Sequence, residues 1–283
     1  MSTTRGALLA EATRLLASRA GPDARGEAET LLAHGLGCDR AALWARPEAA
    51  VSPAAAAACH DLVHRRVSGE PVAYLTARRG FWTLDLEVTP AVLIPRPETE
   101  LLVEQALAVL PAGTGARVAD LGTGSGAIAL ALAAERPGWA IVATDASADA
   151  LGIARRNATR LGLTRIDFRQ GDWTASLRPD ERFAAIVSNP PYVAEGDPHL
   201  AAGDLPWEPR AALVGGPDGL AAIRRLVASA VSHLAPGGWL LLEHGADQGP
   251  AVRALLAGAG LTEVRTVRDL AGLERVSGGR WLE

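Results

Sequence analysis

The spacing of apolar residues along the chain changes character near Glu70 and again near Arg117. Before Glu70 it is helical. Leu8, Leu9, Ala12, Leu15 and Leu16 fall on one face, as do Ala28, Leu31, Leu32 and Leu36, because residues three and four apart are neighbours on a helix. Gly21-Pro22-Asp23 and Gly35-Leu36-Gly37 punctuate these runs. Pro53, whose fixed φ suits a first turn, opens a further helix through Ala54–Val67. A small helical domain is therefore predicted over residues 1–70. It carries no catalytic constellation, which leaves it either a stabilising cap or a docking surface for a large partner.

Residues 71–96 read differently. Phe81–Val88 alternates apolar and polar from Trp82 onward, which predicts a strand in a hairpin linker. Pro90, Pro95 and Pro97 interrupt it, and Glu98–Leu110 resumes the helical period. The domain from 97 to 283 alternates strand and helix. Strands are predicted at Arg117–Leu121, Ala140–Asp145, Arg165–Gln170, Phe183–Ser188, Trp239–Glu243 and Val264–Asp269, and helices at Ile128–Glu135, Ala148–Leu161, Gly219–Leu234 and Gly249–Gly260. Strands separated by helices imply βαβ units, hence an α/β fold with a parallel sheet covered on both faces. The runs Ile186-Val187 and Leu240-Leu241-Leu242 fit strands buried on both sides.

Composition narrows the class. Of 283 residues, 48% are hydrophobic, enough for a full core, yet no uncharged apolar run is long enough to span a bilayer. Arg5, Glu11 and Arg14 interrupt the first apolar stretch, so it does not read as a secretion signal, and a cytoplasmic location is the expectation. The formal charge is −4, and all 28 basic residues are arginines interspersed with acids. That pattern lacks the basic patch expected of a protein that grips nucleic-acid phosphates. Cys38 and Cys59 form no CxxC pair and read as small apolar residues. His60 and His64 have the i, i+4 spacing of a metal pair, but no third ligand accompanies them, and no metal is expected.

Two segments carry chemistry. The first predicted strand runs into Asp120-Leu121-Gly122-Thr123-Gly124-Ser125-Gly126-Ala127. Glycines at a strand-to-helix turn permit positive φ and close approach of a ligand. The second strand ends in Asp145, 21 residues after Gly124, where a carboxylate can accept both ribose hydroxyls. Gly122, Gly124 and Ala127 also satisfy G-x-G-x-x-A, so these residues alone fit NAD as well as S-adenosylmethionine. Asp172-Trp173, after the third strand, could hold an adenine ring by hydrogen bonding and stacking.

The fourth strand ends in Ser188-Asn189-Pro190-Pro191-Tyr192. Two prolines stop the ladder and stiffen the loop. An amide or aniline-type nitrogen is a weak nucleophile because its lone pair is delocalised. It improves when both hydrogens are held by acceptors. Asn189 offers a side-chain oxygen, the Pro190 carbonyl offers a second, and Tyr192 can stack on the planar group. Catalysis would then be mainly positioning.

Together, DLGTGSGAIALALA, Asp145, Gly171–Trp173 and SNPPYV resemble the release factor glutamine methyltransferase family. So do GEPVAYLTARRGFW (Gly69–Trp82), LIPRPETE (Leu93–Glu100), DPHL (Asp197–Leu200) and LLLEHG (Leu240–Gly245). The resemblance runs from Gly69 to the C-terminus. It implies a Rossmann-like class I S-adenosylmethionine methyltransferase sheet behind a small N-terminal helical domain. It also implies that Gly122, Thr123, Gly124, Ser125 and Gly126 wrap the methionine part of the donor, that Asp145 binds its ribose, and that Trp173 lies against its adenine. Asn189, with Pro190, Pro191 and Tyr192, would hold the acceptor amide beside the methyl. The implied substrate is the glutamine of the Gly-Gly-Gln motif in class 1 peptide chain release factors, bound by a monomer with no nucleic acid or membrane partner. Ser125 departs slightly from the family, which often has Thr there. Arg96 and Glu98 would shape the substrate entrance. NPPY is shared with enzymes that methylate exocyclic amino groups of DNA or rRNA, which is the competing activity. A scaffold that binds S-adenosylmethionine without turnover and a nicotinamide oxidoreductase are two further readings.

Overall fold

The computed structural model describes residues 3–111, 113 and 115–283. The chain divides into two units, Met1–Arg78 with Ala202–Trp207, and Arg79–Ala201 with Glu208–Glu283.

The first unit is built from helices α1 (Arg5–Ala20), α2 (Ala24–Leu36), α3 (Arg40–Ala45), α4 (Pro53–Val67) and α5 (Val72–Thr76). Thr4, Asp39 and Ser52 cap α1, α3 and α4 by accepting backbone N–H bonds, and Gly37, at φ 62°, ends α2. Leu8, Leu16, Leu31, Leu32, Cys59 and Val63 form its core. The short helices α3 and α5 were not separable in the sequence, because one or two turns show too little periodicity. Arg66, on α4, is buried. It donates twice to the Glu27 carboxylate at 2.7 Å and once to Asp204 at 2.8 Å, which ties the returning 202–207 segment to these helices.

The second unit begins with β1 (Arg78–Phe81) and β2 (Leu84–Glu87). The strand expected in a hairpin over Phe81–Val88 is β2, which pairs with β1 across a turn at Trp82 and Thr83. Trp82, at φ 56°, makes the reversal; its backbone N–H and indole N–H donate to Glu100 and Glu135 at 2.7 Å. Helix α6 (Glu100–Val109) follows a 3₁₀ turn at Pro97–Thr99. Then come β3 (Arg117–Leu121), α7 (Ala127–Glu135), β4 (Ala140–Asp145), α8 (Ala148–Arg160), β5 (Asp167–Gln170), β6 (Phe183–Ser188), α9 (Ala221–Ala230), β7 (Leu234–Glu243), α10 (Gly249–Gly258), β8 (Thr262–Arg268) and β9 (Glu274–Arg280).

The sheet order is β5-β4-β3-β6-β7-β9-β8. Its first five strands are parallel, and β9 runs antiparallel to both β7 and β8. The sheet is mostly parallel, as the alternation of strands and helices predicts, with β9 an additional antiparallel strand outside those predicted from the sequence. Strand order reverses between β3 and β6, at whose carboxyl ends a ligand crevice opens in such sheets. Alternate residues face opposite layers. Val118, Ala185, Val187 and Leu241 pack with Leu102, Val103, Leu130 and Leu132. Ala119, Leu121, Ile186, Leu240 and Leu242 pack with Ile223, Leu226, Val252 and Leu256. No described helix is long and apolar enough to cross a membrane.

Candidate active site

The turn after β3 requires its glycines. Gly122, Gly124 and Gly126 have φ of 78°, 57° and 87°, a region that side chains disfavour. Gly122 and Thr123 donate to the Thr144 carbonyl at 2.9 and 2.8 Å, binding the turn to β4. The Gly124 N–H donates to Asp145 Oδ2 at 2.8 Å, and Ser147 N–H to Asp145 Oδ1 at 2.9 Å. Behind the turn, Asn157 on α8 donates to the Ser125 carbonyl at 3.0 Å. Asp120 is fully buried. It accepts from the Thr123 hydroxyl at 2.6 Å and from Ala129 N–H, while its Oδ1 has no partner among the described residues. Burial pushes its pKa up to about 7 against those hydrogen bonds, with Asp145 adding repulsion.

Trp173 opens the 3₁₀ turn after β5, with φ 53°. Its ring lies over the glycine turn, and a Cβ on Gly122 would sit 3.0 Å from Trp173 Cζ3. Asp172 is turned to Arg225.

β6 delivers Asn189 beside this turn. Ser188 Oγ donates to the Leu121 carbonyl at 2.6 Å, joining the ends of β6 and β3. Asn189 Nδ2 donates to Thr99 Oγ1 at 3.1 Å. Tyr192 Oη donates to Glu243 Oε1 at 3.2 Å. Burial, with the adjacent Glu243 carboxyl, raises the Tyr192 phenol above its ordinary value, so it stays protonated. Glu243, at the end of β7, is buried and its Oε2 has no partner among the described residues; burial lifts its pKa to about 7.

A cavity of about 320 Å³ opens over these groups. Gly122, Thr123, Gly124, Ser125, Asp145, Trp173, Asn189 and Pro191 line it, so most residues singled out in the sequence share one space. Gly126, Pro190 and Tyr192 do not line it; Gly126 caps α7, and Tyr192 packs against the core. The cavity is also lined by Val92, Leu93, Pro95, Arg96 and Thr99 from the proline-rich segment, and by Pro209, Ala211 and Ala212. Arg96 is paired with the buried Glu208, which also accepts the Ile94 N–H at 3.1 Å. Glu98 is exposed and is not part of this cavity's lining. Thr99, Asn157, Glu208 and Glu243 went unread in the sequence. Thr99 and Glu243 fall within LIPRPETE and LLLEHG, but no spacing rule links them to Asn189.

The lining fits a nucleoside-bearing ligand. An added Cβ at Gly124 would meet nothing within 4 Å, so the backbone there is open to close approach. Asp145 brings to the lining a carboxylate of the kind that accepts from ribose hydroxyls, and Trp173 brings an aromatic face on which a base could stack. No group of three or more metal-binding side chains occurs among the described residues; His60 instead lies 3.4 Å from Glu11.

Residues 7–76 match the PrmC N-terminal domain family and residues 97–204 the methyltransferase small domain family. The chain is 56% identical to the release factor glutamine methyltransferase of Xylella fastidiosa over 97% of both chains. It is 53% identical to that of Pseudomonas aeruginosa, over 92% of this chain and 94% of the relative. Among solved structures, a 16S rRNA methyltransferase of T. thermophilus in complex with AdoMet and guanosine shares the fold, with TM-score 0.54 and 21% identity over 72% of this chain and 49% of that one.

Proposed function

This chain belongs to the release factor glutamine methyltransferase family, and we propose that it transfers the methyl group of S-adenosylmethionine to the side-chain amide nitrogen of the glutamine in the Gly-Gly-Gln motif of class 1 peptide chain release factors. One observation carries the reading: Asn189 and the glycine turn line the same cavity, and Asn189 Nδ2 is engaged by Thr99 Oγ1. Its Oδ1 is thereby left to accept a hydrogen from a substrate NH₂ group.

Bound S-adenosylmethionine supplies an electrophilic methyl group on a sulfonium. Gly122, Thr123, Gly124 and Ser125 would lie against its methionine part, Asp145 would hold the ribose and Trp173 would cover the adenine. Asn189 Oδ1 and the Pro190 carbonyl take the two amide hydrogens, so the nitrogen faces the methyl. Pro191 and Tyr192 keep this turn rigid. The amide nitrogen loses its proton only after methylation has made it acidic, so no strong base is needed beside it. The helices of residues 1–70 serve as the docking surface for the body of the release factor, and residues 71–96 join them to the transferase domain, 97–283.

Incubation with labelled donor tests this, with a class 1 release factor and ribosomal RNA offered in separate reactions. Label is expected in the protein alone. Label in the RNA and none in the release factor would transfer the assignment to amino groups of nucleic acid.

A further inference from the structure

Asn189 and the Pro190 carbonyl can meet a substrate amide only while the turn that carries them stays in place. Pro190 and Pro191 have no backbone N–H. Over these two residues the backbone can be gripped only through carbonyls, and such a grip needs donors.

Gln248, at the start of α10, is a donor placed against this turn. Its Nε2 donates to the Tyr192 carbonyl at 3.0 Å, and its Oε1 accepts the Gly245 N–H at 2.9 Å. Neither end can be reversed. A backbone carbonyl only accepts and a backbone N–H only donates, so the partners fix which end of the amide is nitrogen. The Gln248 N–H donates to the Gly245 carbonyl at 3.0 Å, which closes the loop after β7 on itself. The same strand end holds the other end of Tyr192, whose Oη donates to Glu243 Oε1 at 3.2 Å.

Residues 213–219 leave room for this contact. Val193 N–H donates to the Leu213 carbonyl and Gly215 N–H to the Val193 carbonyl, both at 2.9 Å. A Cβ on Gly215 would lie 2.5 Å from the Pro191 carbonyl oxygen. One on Gly219, at φ 74°, would lie 2.2 Å from the Tyr192 carbonyl oxygen and 2.7 Å from Gln248 Nε2. A side chain at Gly219 therefore displaces the hydrogen bond between Gln248 and Tyr192.

We infer that Gln248 is a positioning residue for the proposed methyl transfer, holding the Asn189–Tyr192 turn by the Tyr192 carbonyl so that Asn189 Oδ1 and the Pro190 carbonyl stay where the substrate amide enters. This rests on the reading that those two oxygens receive the amide hydrogens.

The test uses the full chain, labelled S-adenosylmethionine and a class 1 release factor in single turnovers, with Q248M and Q248E. Q248M keeps the length of the side chain and loses both hydrogen bonds. It is expected to react roughly 10-fold more slowly, as for a slightly misplaced reacting group, with donor affinity held. Q248E keeps the shape of glutamine, but its ionised form sets an oxygen against the Tyr192 carbonyl and should be at least as slow. Its protonated form donates there as the amide does. The ratio of Q248E to wild-type rate should therefore climb as pH falls toward the carboxylate range, about 4–5, while the Q248M ratio stays flat. His244 and Asp247 in the loop, Glu243 with Tyr192 Oη, and the Arg253–Glu274 pair beside Gly249 are the titratable groups around Gln248. All three proteins share them, so the ratio removes their titration.

Q248M as fast as the wild type, or a flat Q248E ratio, would overturn the inference. A role in stability alone would lower the unfolding midpoint of both variants and leave the rates of the folded enzymes alike. Should either variant fail to fold, G219A takes its place and is expected to be as slow as Q248M; a wild-type rate in G219A would overturn the inference. A second readout needs no turnover. Of the two Gln248 side-chain amide protons, the one on the Tyr192 carbonyl should exchange with solvent more slowly, and G219A should level the two. Equal exchange in the wild type would refute the hold on Tyr192 whatever the substrate. A wild type inactive on the release factor but showing the unequal exchange would refute the assigned substrate and keep the hold.

Discussion

Gly124 donates its backbone N–H to Asp145 Oδ2 at 2.8 Å, so the glycine turn after β3 and the acid ending β4 form one rigid unit. The Ser147 N–H on the other carboxylate oxygen fixes the plane of the group. Asp145 therefore shapes the turn as well as offering its remaining lone pairs to a ribose.

Asp145→Ala should weaken S-adenosylmethionine binding by about 2 kcal/mol, the scale for losing hydrogen bonds to a charged group. Calorimetric titration checks this. Unchanged affinity would mean that the ribose does not meet Asp145.

Gly122→Ala combines two penalties. The residue sits at φ 78°, and the new Cβ would lie 3.0 Å from the Trp173 ring. Stability should fall by about 1–3 kcal/mol, and donor binding should fall with it because Trp173 is displaced. Urea unfolding and donor titration of the same variant measure both. A shift in stability with intact binding would separate Trp173 from the donor site.

Much of this architecture is written in residue patterns. The ends of β3, β4 and β6 coincide with the predicted strands because each is a short apolar run closed by a glycine turn, an acid or Pro-Pro. β9 was missed because Gly278 and Gly279 depress strand propensity. In the fold they are what permits the strand: a Cβ on Gly278 would lie 2.4 Å from Leu241 Cδ2, and one on Gly279 2.9 Å from Leu261 Cβ. The cofactor turn was legible for a local reason, since its glycines and Asp145 recur at a fixed spacing. The wall formed by Thr99, Glu208 and Glu243 was not. These residues meet Asn189, Arg96 and Tyr192 only through tertiary packing, across as many as 112 residues of chain.

Glu181 gathers three arginine contacts at the start of β6. Arg169 holds both its oxygens at 2.7 and 2.9 Å, and Arg117 approaches at 2.5 Å; the Arg178 N–H adds a fourth bond at 2.8 Å. The Arg169 bonds, first among these, hold its pKa down to about 2. A carboxylate with a depressed folded pKa contributes stability above its unfolded value, lost as pH falls through the folded one. Glu181→Gln should therefore cost roughly 3 kcal/mol at neutral pH. The gap to the wild type should close between pH 4.5 and about 2. Denaturant unfolding across that window checks it; a constant gap would place the effect in packing instead.

Arg66 joins Glu27 and Asp204. Arg66→Met leaves both acids unpaired and should lower stability by about 3 kcal/mol. It should also release the segment at Ala202–Trp207 to proteases. Limited proteolysis with mapped cleavage sites measures the release; cleavage no faster than in the wild type would show that the other contacts of the segment suffice.

The most direct measurement is mass-spectrometric fragmentation of a class 1 release factor after reaction with the wild type and with Asn189→Ala. The expected result is one methyl group on the side-chain amide nitrogen of the Gly-Gly-Gln glutamine with the wild type, and at least about 100-fold less with Asn189→Ala at unchanged donor affinity. A methyl group on any other atom, or equal methylation by the variant, would contradict the role given to Asn189.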